Sequence, residues 1–263
     1  MHPTIVTSRD NPVFRRLKKL AESARARRAA GMTLLDGEHL LEAYRDAGGT
    51  PHTLVCAAAC APDRLEMLVA RGGGARMLVL ADALFAELSP VTTPTGVLAE
   101  VAWLAPPLPV AMPLVIVLED IQDPGNLGSM LRTAAAAGAT LAVLSKGCHD
   151  PWSPKALRGG QGAQFVLPLL RDADLAAWLA GFDGQSVALA LAESEDFYAV
   201  SCTGPTALVV GNEGAGLSAA TARAAQRRVR IPMPGRVESL NAAAALAAAL
   251  FEVVRQRRVG GAA

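Results

Sequence analysis

From Pro113 onward the chain alternates short, unbroken apolar runs with helical or loop stretches. PLVIVLE, TLAVLS, QFVLPLL, SVALALA, TALVVG and RRVRIP are separated by NLGSMLRTAAAAG, PKALRGGQG, DADLAAWLAG, LSAATARAA and a final alanine-rich segment. A strand that is apolar along its whole length needs cover on both faces, and alternation with helices supplies it. The pattern therefore predicts an α/β fold with a parallel sheet between helical layers. Alanine is the best helix former, so the tract at 242–249 reads as a packed helix and not as disorder.

Ahead of this region lies APPLPVAMP, residues 105–113, whose four prolines in nine residues mark a linker. It separates residues 1–104 from a second domain at 114–263. The first part also alternates: a basic helix at about 12–30, the strand MTLLDG, the helix EHLLEAYRDAG, the strand HTLVCA and the helix PDRLEMLVARGG are followed by the strand ARMLVLA, the helix ALFAELS and the strand GVLAEVAWL. That is a small α/β unit of its own.

Half of the chain is apolar and 19% is charged, which excludes a disordered protein. A net charge of +1 provides no global field for nucleic acid, so any such role must be local. Between Arg9 and Arg28 eight basic residues face two acidic ones, and Arg15, Arg16, Lys18 and Lys19 form its densest part. Two readings stand side by side: a solvated helix face, or an arm that contacts phosphates. Cys56, Cys60, Cys148 and Cys202 have no framework spacing. His52, Cys56 and Cys60 would share a face only on a helix, and HTLVCAAAC reads as a strand running into a loop, so no metal is expected. Free thiols, no apolar segment at the N-terminus and no apolar run of ~18 residues together predict a cytoplasmic chain without a membrane span.

Three loops carry the chemistry: EDIQDPGN (119–126), GNEGAGLS (211–218) and PMPGRVESLN (232–241). Each follows a strand and opens a helix, which in a parallel sheet gathers all three on the rim where such sheets bind ligands. None matches a known phosphate loop: Gly-Lys-Ser/Thr is missing after GNEGAGLS, and no strand leads into G-x-G-x-x-G. No Ser-His-Asp set is evident. The rim offers Asn126, Arg132, Glu213, Ser239 and Asn241 with much bare backbone. Asn126 reads as the N-cap of the first helix and Gly138 as its stop, which puts Arg132 in the second turn with its side chain leaning back toward the rim. There it would meet an anion such as an RNA phosphate, or else pair with a surface carboxylate.

LEDIQDPGNLGSMLRTAAAAGA, LVVGNEGAGLS and IPMPGRVESLNAAAA, in this order and spacing, resemble the three motifs of the SpoU-type RNA ribose methyltransferases of the SPOUT superfamily. The resemblance covers roughly 114–258, and LLDGEHLLEA with LSPVTTPTGVLA is similar to the small ribosomal-protein-like substrate-binding domain often joined to them. It implies S-adenosylmethionine as methyl donor, a ribose 2′-hydroxyl of structured RNA as acceptor (rRNA ahead of tRNA), no metal, a homodimer and a C-terminal trefoil knot. Carried onto this chain, the cofactor contacts fall on Gly211, Ile231 and Leu240. Met233 and Gly216 complete an apolar, closely approached surface for the adenine. Arg132 takes the family's catalytic position, with Asn126 and Glu213 holding it and the target nucleotide, while Ser239 and Asn241 shape the pocket. Arginine has a pKa above ~12, so gripping the ribose-adjacent phosphate is the safer role for Arg132 than proton removal.

Two residues depart from the family pattern. Ala242 and Ala243 stand where it commonly has Val-Ser, and Arg236 where it commonly has a small residue. Two other readings remain beside the enzyme: an RNA-binding relative that has lost the methyl donor, and an unrelated α/β enzyme acting on a small molecule.

Overall fold

The computed structural model describes residues 3–60, 73–91, 94–192 and 194–260, and the chain divides into two units. One comprises Met1–Leu104 with Asp150–Phe165, the other Ala105–His149 with Val166–Ala263.

The first unit contains a five-stranded mixed sheet. Strands β1 (Thr4–Val6), β2 (Met32–Asp36), β3 (Thr53–Ala57), β4 (Arg76–Leu80) and β5 (Val97–Ala102) lie in the order β1-β4-β3-β5-β2. β1 and β3 flank β4 in parallel, while β5 is antiparallel to both β3 and β2. β1 has no counterpart in the sequence pattern, because three residues are too few to display a period. The basic stretch expected as one helix is two, Pro12–Glu22 and Ala24–Ala30. Ser23 between them is extended and accepts the Ala26 N–H, so it caps the second helix and interrupts the first. The helix expected from PDRLEMLVARGG falls, apart from Gly73, outside the described residues.

Asp150–Phe165 is built into this unit's core. Trp152, Leu157 and Phe165 are buried with Leu35, Leu54, Tyr44 and Val101, and the Thr33 hydroxyl donates to the Trp152 carbonyl at 2.6 Å. Arg27 is buried, bonded to Asp150 at 2.7 Å and to the carbonyls of Leu20 and Ala21. The run QFVLPLL, expected as a strand, is split. Ala163–Val166 is helical, and Gln164 turns inward to donate to the carbonyls of Pro151 and Ala156. The strand starts only past Pro168, whose missing N–H and restricted predecessor suit a boundary.

The second unit is built on a seven-stranded sheet: β6 (Leu114–Leu118), β7 (Leu141–Ser145), β8 (Leu169–Ala173), β9 (Gln185–Leu189), β10 (Glu195–Asp196), β11 (Thr206–Val210) and β12 (Arg227–Arg230). The order is β10-β12-β9-β11-β6-β7-β8, and every neighbouring pair is parallel. Thus β11 is laid between β6 and β9, and β12 between β9 and β10, although both come later in the chain than their neighbours. β6 and β11 are buried throughout, as their unbroken apolar sequences require. The last helix, Ala242–Gly260, buries Ala243, Leu246, Ala249, Leu250 and Val253 on one face and packs on the helix Pro124–Ala136 and on β11. Near its end Arg257 donates to the carbonyls of Pro113 (2.7 Å), Gly204 (2.8 Å) and Cys202 (3.3 Å), just ahead of β6 and β11. Among the described residues no helix is long and apolar enough to cross a membrane.

Because Leu157 is fully buried in the first unit's core, Leu157→Ala should cost about 2–5 kcal/mol of stability, read by chemical denaturation. A chain beginning at Ala105 strips Trp152, Leu157 and Phe165 of that core, so it should aggregate on size-exclusion chromatography. A monodisperse, fully folded fragment would contradict this assignment.

Candidate active site

The three loops open at the C-terminal ends of β6, β11 and β12 and lead into the helices Pro124–Ala136, Ala219–Ala224 and Ala242–Gly260. The chain leaving β9 joins them at the same end. Between the segments that follow β9, β11 and β12 lies a cavity of about 570 Å³, within the range of small-molecule sites. Gly211, Gly216, Ile231, Met233 and Leu240 all line it, as do Glu213 and Ser239. So do Leu189, Ala190, Leu191 and Ala192, a wall that the sequence reading missed. The signal was available: in a parallel sheet the end of SVALALA must reach the same rim.

The loop after β11 is closed on itself. Asn212 and Gly216 exchange backbone hydrogen bonds at 3.0 and 2.9 Å, and the Asn212 side-chain oxygen accepts the N–H groups of Gly214 and Ala215. Gly216 holds φ +69°, a conformation that glycine adopts without penalty. Gly211 is required for a different reason than close approach of a ligand. A Cβ there would stand inside van der Waals contact with the carbonyl group of Gly216 and the nitrogen of Leu217, so the loop's own return excludes it. Asn212 also donates to the Asp120 carbonyl at 2.9 Å, which ties this loop to the one after β6. Glu119 makes the same junction from the other side, accepting from the Ser218 N–H (2.8 Å), the Ser218 hydroxyl (2.7 Å) and the Thr221 hydroxyl (2.6 Å).

The N-cap of the helix Pro124–Ala136 is Asp123, not Asn126: its carboxylate accepts the Asn126 N–H at 2.7 Å, with Pro124 in the first position. The Asn126 side chain is thereby released from capping. It donates to Glu213 Oε1 at 2.9 Å and accepts from Asn241 Nδ2 at 3.1 Å. One residue from each loop thus enters a single hydrogen-bonded chain, Glu213–Asn126–Asn241. Asn241 is doubly employed, since its side-chain oxygen accepts the N–H groups of Ala243 and Ala244 and so caps the last helix. Ala243 is buried in that first turn.

The earlier helix start moves Arg132 to the third turn. It is exposed, and it makes no hydrogen bond or ion pair among the described residues. Ser239 is exposed at the cavity edge. The thiol of Cys148, behind the β6 loop, is pushed up chiefly by burial and stays protonated. No cluster of His, Cys, Asp or Glu able to hold a metal occurs among the described residues.

The basic residues of the first unit are largely spoken for. Arg15 pairs with Asp10, Arg16 with the fully buried Glu100, and Lys18 with Glu87 at 2.7 Å, where Arg9 also binds. The Lys18 ammonium, then Arg9, hold the Glu87 carboxyl below its usual range. Since its folded value lies below the unfolded one, that tie is intact at neutral pH and is lost only in acid. Lys19 and Arg25 are exposed and have no such partner among the described residues.

Comparison with known proteins gives two family matches, the SpoU rRNA Methylase family over residues 113–251 and the MRM3-like substrate binding domain over residues 11–99. An uncharacterized tRNA/rRNA methyltransferase of Synechocystis is 34% identical over 96% of this chain and 94% of its own. The 23S rRNA (guanosine(2553)-2′-O)-methyltransferase RlmP of Bacillus subtilis is 31% identical over 94% of this chain and 98% of its own. Among solved structures, an AdoMet-bound rRNA methyltransferase from Sinorhizobium meliloti superposes with a TM-score of 0.81 at 31% identity, covering 96% of this chain and 97% of that one.

The glycines of the rim separate cleanly by thermal melting. Gly211→Ala should lower the melting temperature by several degrees, at about 2–4 °C per kcal/mol for a chain of this size class. Gly235→Ala, whose Cβ would meet nothing within 4 Å, should leave it unchanged. Equal melting of the two variants would remove the packing argument for Gly211.

Proposed function

The chain belongs to the SpoU rRNA methylase family, and from that premise we propose how its three loops share the work of methyl transfer. It is an S-adenosylmethionine-dependent RNA (ribose-2′-O-)methyltransferase, acting on rRNA ahead of tRNA, as its named relatives do. The observation that carries the division of labour is the chain Glu213–Asn126–Asn241, which joins all three loops beside the cavity.

The cavity suits the methyl donor. Ile231, Met233 and Leu240 provide apolar surface for an adenine, and the folded loop 211–216 presents backbone at close range. Glu213, Arg228 and Arg230 supply charges of both signs for a zwitterionic sulfonium amino acid. When bound, S-adenosylmethionine supplies an electrophilic methyl group on sulfur. The protein's part is to align the acceptor oxygen with it and to help a weakly acidic hydroxyl lose its proton. Ser239 and Asn241, at the start of the last helix, border the space between donor and ribose. Arg132, exposed and without an internal partner, serves as the grip on the phosphate beside the target ribose.

Three finer points complete the reading. The N-terminal domain docks the RNA, supported by the substrate-binding-domain match over 11–99. The second domain carries a trefoil knot, supported by late strands inserted between earlier ones. The enzyme works as a homodimer, supported by the exposed Phe251 on the last helix.

Arg132→Ala should abolish methyl transfer while leaving S-adenosylmethionine affinity, read by calorimetry with chelator present, within about threefold of the parent. Arg132→Lys keeps the charge and loses the planar fork. Recovery by lysine would identify phosphate attraction as sufficient, and near-normal turnover of the alanine variant would refute the role. For RNA docking, Lys19→Ala with Arg25→Ala should reduce the slope of log affinity against log salt by about one to two units. Arg16→Ala should instead lower the melting temperature, because it leaves the buried Glu100 carboxylate without its cation.

A further inference from the structure

We propose that Arg16, His52 and Arg76 form a phosphate-binding corner on the first unit, and that RNA docking there takes up a proton at His52. The inference rests on the reading of this unit as the RNA-docking domain and adds a site and a proton to it.

The corner is built on a buried carboxylate. Arg76, Thr53 and Glu100 are register partners across β4, β3 and β5, so their side chains stand in one row on one face of the sheet. Leu78, Val55 and Leu98, two residues away on each strand, share that face and pack with Phe14, Leu17 and Leu20 of the helix Pro12–Glu22. The same helix lays Arg16 over the row. Glu100 is fully buried, and Arg16 engages both of its oxygens, Nη1 pairing with Oε1 and Nη2 donating to Oε2 at 2.9 Å. Oε2 also accepts the Thr53 hydroxyl at 2.7 Å and lies 3.1 Å from His52 Nδ1. One oxygen thus orients both a guanidinium and an imidazole, while their side chains stay 45% and 60% exposed. The Arg76 N–H donates to the His52 carbonyl at 3.1 Å, which sets the two residues side by side. Arg76 is exposed, and its side chain makes no hydrogen bond or ion pair among the described residues. Lys19 follows Arg16 by three residues on its helix, so the corner adjoins a cation already assigned to docking.

The proton follows from the tautomer of His52. Nδ1 has two neighbours, and both are acceptors. Glu100 is a carboxylate, and Thr53 Oγ1, 3.0 Å away, has spent its hydrogen on Glu100. Nδ1 therefore carries the proton of the neutral ring, and Nε2, on the far side, is a bare lone pair. A lone pair repels a phosphate oxygen. A proton taken from solvent onto Nε2 turns it into a charged donor, so a phosphate seated among the three side chains binds the imidazolium and not the neutral ring. Glu100 from β5, Arg16 from the helix and Arg76 from β4 are the charged groups that neighbour the ring among the described residues. One anion against two permanent cations leaves the corner positive before His52 is counted, and the incoming phosphate adds the negative charge that favours the imidazolium.

The test uses the full-length protein and a 23S rRNA transcript. Affinity is measured from about pH 8 to about pH 6, the range in which histidine changes charge. Calorimetry in buffers of different ionisation enthalpy counts the protons taken up. The parent's affinity should rise as the pH falls, by up to about tenfold per pH unit, the slope of one linked proton. His52→Asn, whose amide can replace Nδ1 on Glu100, should flatten that slope and lose most of the proton uptake while melting with the parent. Other histidines and the RNA bases contribute equally to both proteins, so the difference belongs to His52. Arg76→Ala should lower the slope of log affinity against log salt by about one unit, also without a change in melting. A His52→Asn protein that keeps the parent's proton uptake, or an Arg76→Ala protein with the parent's salt slope, would overturn the corner. So would a His52→Asn protein that melts early and binds RNA as the parent does at both ends of the pH range, since the imidazole would then only support Glu100. A parent protein with no affinity for RNA would instead overturn the docking reading on which the corner rests.

Discussion

Strand β11 lies directly against β6, in parallel and in register from Thr206 with Leu114 to Val210 with Leu118, and the site depends on that adjacency. Two loops more than eighty residues apart in sequence leave the sheet side by side. The bonds that join the first two loops cross this junction: Asn212 to the Asp120 carbonyl, Ser218 and Thr221 to Glu119, and Asn126 to Glu213. The third loop enters from β12, two strands away across β9, and is tied in by one side-chain bond, Asn241 to Asn126. Asn126 is free to accept it because Asp123 has taken over the helix cap.

Periodicity made the centre of the second unit's sheet legible because β6, β7, β9 and β11 lie in apolar runs between helical stretches. The outer strands carry less of that signal: β8 and β12 include charged residues, and β10 is two exposed acidic residues, Glu195 and Asp196. Strand order was not legible, since any of these runs could neighbour any other until connections and side-chain volumes are satisfied together. The break at Ser23 and the split of QFVLPLL share one cause. In both, a polar side chain (the Ser23 hydroxyl, the Gln164 amide) hydrogen-bonds backbone and overrides a propensity that favours continuity. The membership of Asp150–Phe165 in the first unit's core has no local signature at all, because Trp152 and Leu157 would look equally buried in either core.

In the site, residue types were more legible than their reasons. A glycine at 211 reads as space for a ligand, yet the neighbouring Gly216 carbonyl already fills the space a side chain would need. An asparagine before an apolar helix reads as a cap, yet an aspartate three residues earlier does the capping and leaves the amide for the site. Asn212 and Glu119 escaped notice because their partners are backbone groups and hydroxyls on another strand's loop, which sequence spacing cannot reveal.

The basic stretch makes the same point about charge. Counting cations along Arg9–Arg28 gives a strongly positive segment, but the count omits the carboxylates that folding brings to it. Glu87 comes from the helix Asp82–Leu88 and Glu100 from β5, and together they take up Arg9, Arg16 and Lys18. These pairs are not equivalent. Arg9 and Lys18 sit toward solvent, where an ion pair contributes little and a phosphate could compete for the cation. Arg16 neutralises a carboxylate that is fully buried, so giving it up would leave an uncompensated charge inside the unit. Free energy thus sorts one run of like residues into three groups: Arg16 and Arg27 are structural, Arg9 and Lys18 are exchangeable, and Lys19 and Arg25 are available at no folding cost. Lys19 and Arg25 thus keep their charges toward solvent, whereas Arg9 and Lys18 would have to leave Glu87 before meeting any other anion.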